Sequence, residues 1–146
     1  MTAGMQDARQ YSDLIDEAVG KPREAYRDSI LGHAEAFDEL AEVWEECRHP
    51  GWDGYEAFPL EPETLRGTYT LIESLPLRFP RPSISAEPDG QLTLEWHNSP
   101  SRTLSVSVDP DGFLHYAGLF GASRRYGTLA YFSSAPSELL QLVRDL

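Results

Sequence analysis

GWDGYEAFPLEP, residues 51 to 62, divides the chain into two halves of different periodicity. Asp53-Gly54 is a turn pair, because Asp tolerates a left-handed backbone and Gly adopts positive φ without steric cost. Pro59 and Pro62 fix their own φ and bias the residues before them away from helix, so helix is barred until Pro62. Trp52, Tyr55 and Phe58 put three rings into a stretch with no basic side chain. The expectation is a turn whose rings pack where the two halves meet.

Upstream of the turn the pattern is helical. Met5, Ala8, Ser12, Ile15 and Val19 recur at steps of three and four, predicting a first helix over residues 5 to 19 that ends at Gly20. Pro22 suits the start of a second helix, expected to run to about Arg48. Tyr26, Ile30, His33, Phe37, Leu40, Trp44 and Cys47 alternate steps of four and three along it. Such a stripe keeps one face against a neighbouring helix. The neighbour is either the first helix, folded back as a hairpin, or the same helix of a second copy, giving a homodimer through residues 22 to 48. Gly32 weakens this helix by about 1 kcal/mol relative to Ala and marks a candidate break.

Downstream, Pro62 to Leu75 reads as a helix with Leu65, Tyr69, Ile72 and Leu75 on its buried face. The run LPLRFPRP, residues 75 to 82, holds three prolines and is expected to be extended. A strand is expected over Ser83 to Glu87. Leu92, Leu94 and Trp96 alternate with Thr93, Glu95 and His97, and Leu104, Val106 and Val108 alternate with Thr103, Ser105 and Ser107. Alternation of this kind predicts an antiparallel sheet with one buried and one wet face. A further strand is expected over Phe113 to Leu119, then a loop from Gly118 to Gly127 carrying Arg124 and Arg125, then a strand over Thr128 to Phe132. Pro136 to Leu146 closes the chain as a helix capped by Ser133 or Ser134, with Leu139, Leu142, Val143 and Leu146 inward. The fold class is therefore α+β: an N-terminal helical hairpin, then a helix and a four- to five-stranded antiparallel sheet closed by a C-terminal helix. Residues 1 to 50 form an acidic helical region and residues 51 to 146 an α+β domain, together one unit with a helical extension.

The chain has 146 residues and a formal net charge of −12, from 24 acids against 12 bases. A field of that sign repels nucleic acid, so direct nucleic-acid binding is not expected. No stretch approaches the ~18 apolar residues of a membrane span, no signal-peptide apolar core follows Met1, and Cys47 stands alone; a cytoplasmic protein of a bacterial or phage-infected cell is expected. The acids crowd together. Between Glu35 and Glu63 lie Glu35, Asp38, Glu39, Glu42, Glu45, Glu46, Asp53, Glu56, Glu61 and Glu63, with Arg48 the only base. Such a run is either a solvated face or an acidic surface offered to a basic partner.

The candidate chemistry is sparse. Cys47, His49 and Asp53 match no zinc spacing, and Cys47 with His49 could form a nucleophile–base pair or sit on the packing stripe. Asp109 and Asp111 resemble the start of a calcium loop without its remaining ligands, and read as a hairpin turn. Glu95 and His97 share the wet face of one strand as an acid–base pair or as solvated side chains. The glycines and arginines of the 118 to 127 loop lack the helix that a phosphate cradle opens, and an arginine contact to a carboxylate is the alternative. No catalytic residue, metal or cofactor is assigned.

GWDGYEAFPL, the helix after it, the proline-rich run, PDGQLTLEW and DPDGFLHYAG together resemble a group of small bacterial proteins in which a WDGYGA-like motif precedes a short β domain. The resemblance covers residues 51 to 120, and Glu56 stands where that motif has Gly. It implies an accessory protein of bacteria or mobile elements and carries over no functional residue. In charge and size the chain is also similar to phage-encoded anti-CRISPR proteins. The resulting expectation is a non-enzymatic interaction protein, an inhibitor that covers a basic, nucleic-acid-binding surface of a protein or nucleoprotein complex. Its contact residues would be Glu35, Asp38, Glu39, Glu42, Glu45 and Glu46, with Trp52 and Tyr55 as aromatic anchors. The alternatives are an antitoxin or immunity protein that neutralises a basic toxin, and a small enzyme.

Overall fold

Alternation at residues 92 to 108 builds the centre of the structure. The computed structural model describes residues 33 to 131 and 134 to 146. Five strands lie in the order β1 (Ser83–Ala86), β2 (Leu92–Ser99), β3 (Arg102–Val108), β4 (Phe113–Phe120) and β5 (Ser123–Ala130). Each pairs antiparallel with the next. Leu92 lies opposite Val108, Leu94 opposite Val106 and Trp96 opposite Leu104, and all six side chains are buried. Val106 continues to Tyr116 and Val108 to Leu114 in β4. The apolar rows therefore run across three strands on one face, as cross-strand pairing of an alternating pattern requires.

Three helices belong to the described residues: α1 (Ala34–Cys47), α2 (Pro62–Ser74) and α3 (Ser137–Arg144). The architecture is α+β. α2 packs on β2 and β3, and α1 packs on β1 and α2. Leu65, Tyr69, Ile72 and Leu75 are buried as their spacing predicts, joined by Thr64, Thr68 and Leu71. Tyr131 reaches across from the end of β5 and its hydroxyl donates to the carbonyl of Gly67 in α2. That hydroxyl is pushed up to about 12, chiefly by burial. Leu139, Leu142 and Val143 of α3 complete the core. Asn98 and Arg102, at the β2–β3 turn, donate to the carbonyls of Leu146 and Asp145. These bonds satisfy groups that a helix C-terminus leaves without partners.

The described part of the stripe, Phe37, Leu40, Trp44 and Cys47, is buried inside the chain. The Phe37 ring stacks on Tyr69, with centroids 4.4 Å apart. α1 thus shares one core with the β half. It begins at Ala34 with a non-helical His33 at its N-cap, so the helix expected from Pro22 to Arg48 does not run unbroken through residue 33, next to the candidate break at Gly32. The helix expected over residues 5 to 19, the hairpin it would form, and the stripe positions Tyr26 and Ile30 lie outside the described residues.

Four further expectations change. Residues 118 to 127 form no loop: β4 and β5 pair in eight consecutive steps around a two-residue turn, Gly121-Ala122. Gly121 has φ of +72°, the conformation a Gly-first hairpin turn requires. β5 ends at Ala130, so the strand expected from Thr128 begins five residues earlier. The proline-rich run is not fully extended, because Phe79 N donates to Pro76 O around Leu77 and Arg78. Prolines at 76, 80 and 82 restrict their neighbours at 75, 79 and 81 and leave 77 and 78 able to turn. Ser134 does not cap α3; its N-cap is Pro136, with no side-chain cap bond.

Leu94 is fully buried in the central apolar row, whereas Leu77 is 62 % exposed. Leu94→Ala should cost roughly 2–4 kcal/mol in urea unfolding, and Leu77→Ala less than about 0.5 kcal/mol. Equal losses would show that the apolar face is not the core.

Candidate protein-binding surface

The ring-bearing turn is built by one carboxylate. Asp53 Oδ1 accepts from Tyr55 N at 2.9 Å and from Ala57 N at 3.3 Å. Gly51 N donates to Ala57 O, and the Trp52 indole donates to Phe58 O at 2.9 Å. Phe58 N donates to Pro88 O, docking the turn on the β1–β2 connection. This network places Ala57 in the core. Trp52 packs half-buried at the core margin. Tyr55 is 85 % exposed and Phe58 67 % exposed. The expectation that all three rings pack between the halves therefore holds for Trp52 alone. Bonds to Asp53 fold the backbone so tightly that small Ala57 turns inward and its large neighbours turn out.

α1 ends directly before this turn. Asp38, Glu42 and Glu46 follow each other at steps of four on its exposed side, with Glu35 and Glu45 beside them. Like charges four apart on a helix repel. The last turn of α1 contains Glu45 and Glu46 and no base, against the helix dipole. Glu45 stands 4.0 Å from Arg48 and Glu35 3.7 Å from Arg81. Glu39 differs from the rest. It is half-buried, its Oε2 takes Arg81 Nη2 at 2.7 Å and its Oε1 takes the backbone N–H of Ile84 in β1 at 2.9 Å. Its first duty is to the fold.

The remaining candidate groups are dispersed. Cys47 is buried, and burial followed by the charge of Glu46 raises its thiol pKa, opposite to what an activated nucleophile needs. His49 is exposed beyond the helix end. Among the described residues no three His, Cys, Asp or Glu side chains gather where they could hold a metal ion. Glu95 and His97 both face solvent, as their alternation predicts, and Glu95 accepts weakly from Ser105 at 3.5 Å. Arg124 and Arg125 lie on opposite faces of β5. Arg125 makes the expected contact to a carboxylate, 2.7 Å from Asp145 Oδ2, and lies 4.4 Å over the Phe120 ring.

One constellation escaped the sequence reading. His115 Nε2 lies 2.8 Å from Asp109 Oδ2, and its Nδ1 lies 3.1 Å from Thr128 Oγ1. His115 and Thr128 are cross-strand partners, so only the β4–β5 register brings them together. The order hydroxyl, imidazole, carboxylate is that of a nucleophile relay. It sits on an exposed part of the sheet, and among the described residues no second set of donors converges on the hydroxyl to hold an oxyanion. Its visible work is to tie the β3–β4 turn to β5. Asp109 Oδ1 also accepts from Asp111 N and Phe113 N. Partial burial alone would raise the pKa of Asp109, but the bonds from Phe113, His115 and Asp111 hold it below its ordinary value.

No protein-family model matches the chain, and no curated protein and no solved structure matches it.

Two tests follow from these bonds. Glu39→Ala leaves Ile84 N without its acceptor and Arg81 without its nearest partner, and should cost about 1–3 kcal/mol in denaturant unfolding. A cost no larger than that of Asp38→Ala would mean that Glu39 is another solvated acid. Asp109 has a depressed folded pKa, so its stabilisation is present above its unfolded value of about 3.9 and is lost as pH falls through the folded value. The stability gap between wild type and Asp109→Asn should therefore narrow when pH is lowered from about 6 to about 3. A gap independent of pH would remove the charge of Asp109 from the account.

Proposed function

We propose that this protein is a non-enzymatic binding protein for basic protein surfaces, with the Asp53 turn as its anchor and the exposed side of α1 as its charged flank. The observation that carries this reading is the outward display of Tyr55 and Phe58 by a hydrogen-bonded turn that directly follows the acidic helix. A turn fixed by its own hydrogen bonds loses little freedom on binding. Exposed aromatic rings rimmed by carboxylates recognise arginine and lysine twice, by the ring face and by ion pairing. Repulsion along Asp38, Glu42 and Glu46 does nothing for folding, and a negative field of that density speeds association with a cation-rich partner. Protein surfaces that bind nucleic acid present such cations, and a carboxylate stripe substitutes for their phosphates. Covering a surface of that kind makes the protein an inhibitor of nucleic-acid binding.

The test uses a fluorescent arginine-rich peptide as probe. Tyr55→Ala, which leaves the net charge unchanged, should weaken binding about tenfold, or ~1.4 kcal/mol. Glu42→Lys with Glu46→Lys should weaken it at least as much while leaving Glu39 and the melting temperature in place. Binding should fall between low and moderate salt. If Tyr55→Ala binds as tightly as wild type and only salt matters, the attraction is general electrostatics and the anchored surface is wrong.

A further inference from the structure

The two edges of the sheet are treated differently. β1 has four residues, and Glu39 of α1 occupies the N–H of Ile84 that an incoming strand would need. β5 has eight residues, and among the described residues no strand lies beyond it. It pairs with β4 without a register shift, contains no proline, and carries no charge from Tyr126 to Ala130. Tyr131 N donates inward to Gly112 O. Antiparallel ladders alternate, so Arg125, Gly127 and Leu129 also bond inward to β4. Arg124, Tyr126, Thr128 and Ala130 turn their N–H and C=O groups outward, and their side chains stand on the open face of the sheet. Tyr126 is 82 % exposed.

The charge of this hairpin is opposite to that of the molecule. Residues 113 to 130 contain no Asp or Glu, in a chain with 24 acids. Arg125 is neutralised by Asp145, while Arg124 meets no carboxylate among the described residues. We propose that β5 is a docking edge for an extended acidic segment of a partner protein, which adds as a sixth strand, sets a carboxylate against Arg124 and lays an apolar side chain on Tyr126. This surface is separate from the acidic helix and does not rest on the function proposed for it. A second copy fits poorly, since two arginine-bearing edges of chains at −12 would have to meet. Nucleic acid fits poorly too, because an outward strand of alternating N–H and C=O groups complements a peptide backbone.

The probe is a labelled peptide of alternating glutamate and valine, about eight residues long to match a strand of this length. It should bind the full chain and slow hydrogen exchange at the outward amides of Tyr126 and Thr128, leaving those of Gly127 and Leu129 unchanged. Arg124→Glu should weaken it at least tenfold. Thr128→Pro removes one outward donor, keeps the β4 ladder bonds while losing the Oγ1 bond to His115, and should weaken it as well, whereas Thr128→Val, which loses only that side-chain bond, should bind as wild type. If Thr128→Pro fails to fold, Arg124→Glu and the exchange pattern decide. Equal binding by Arg124→Glu, or protection elsewhere than β5, overturns the proposal. So does displacement of the peptide by a single-stranded oligonucleotide at equal concentration, or a dimer in sedimentation that Thr128→Pro dissociates.

Discussion

A sheet with one apolar face has to be roofed, and here the roof is made of helices that differ in how firmly they are tied down. α2 lies directly on β2 and β3, and its Leu65, Tyr69 and Ile72 belong to the same buried core as Leu94 and Val106. α1 packs on β1 and on α2, and its attachment combines an apolar stripe with one carboxylate. Glu39 joins the helix to the first strand and to Arg81 at once. Because Phe37, Leu40, Trp44 and Cys47 face the core, helical geometry sends Asp38, Glu42, Glu45 and Glu46 outward, with Glu39 on the flank between the stripe and the solvent. The core contact and the acidic surface are therefore two sides of a single orientation. A bond to Ile84 N also closes the sheet on that side, so Glu39 ties down both the helix and the end of the sheet.

The sheet interior, α2 and α3 were legible because each rests on a period. Leu92 to Trp96 and Leu104 to Val108 carry strict alternation, and Leu65 to Leu75 carries helical spacing, which local sterics and water alone enforce. The first five residues of β5 were not legible because this is an edge strand with most of its side chains in solvent. Without a buried face, SRRYGTLA had no reason to alternate, and its three neighbouring glycines looked like a loop. The two-residue Gly121-Ala122 turn was the available signal, since Gly followed by a second residue between two runs marks a tight hairpin. Gly127 also has a packing role: a Cβ there would stand 2.8 Å from the Tyr116 hydroxyl.

The site was half legible. Composition located the acids and the rings but could not rank them. Glu39 and Glu42 are indistinguishable in the sequence, and three residues of helix separate a structural carboxylate from a solvated one. Tyr55 and Phe58 were assigned inward because large rings are usually buried. Asp53 overrules that tendency, because two backbone N–H bonds to a single carboxylate outweigh the burial of either ring in a loop this short. His115 and Thr128 were invisible as a pair for the same reason as β5: their contact exists only once the register of the last hairpin is set.

The features that folding does not account for fall in two places, and they have opposite charge. One is the Asp53 turn with the outer side of α1, where acids repel and rings are wet. The other is β5, where a tyrosine is wet and, among the described residues, an arginine lacks a carboxylate and a backbone edge lacks a partner strand. Each runs against stability: like charges on a helix, exposed aromatic area, and unpaired strand edges are all things that sequences shed when nothing uses them. Each is also held rigidly, the turn by Asp53 and the edge by an unbroken ladder to β4. Rigid display of unfavourable surface is the arrangement expected of interfaces, since the energy withheld in the isolated chain is recovered only when a partner covers the rings, the charges or the edge. Opposite signs at the two places mean that one partner surface cannot satisfy both, so the two proposed interfaces call for two chemically different neighbours or two different parts of one.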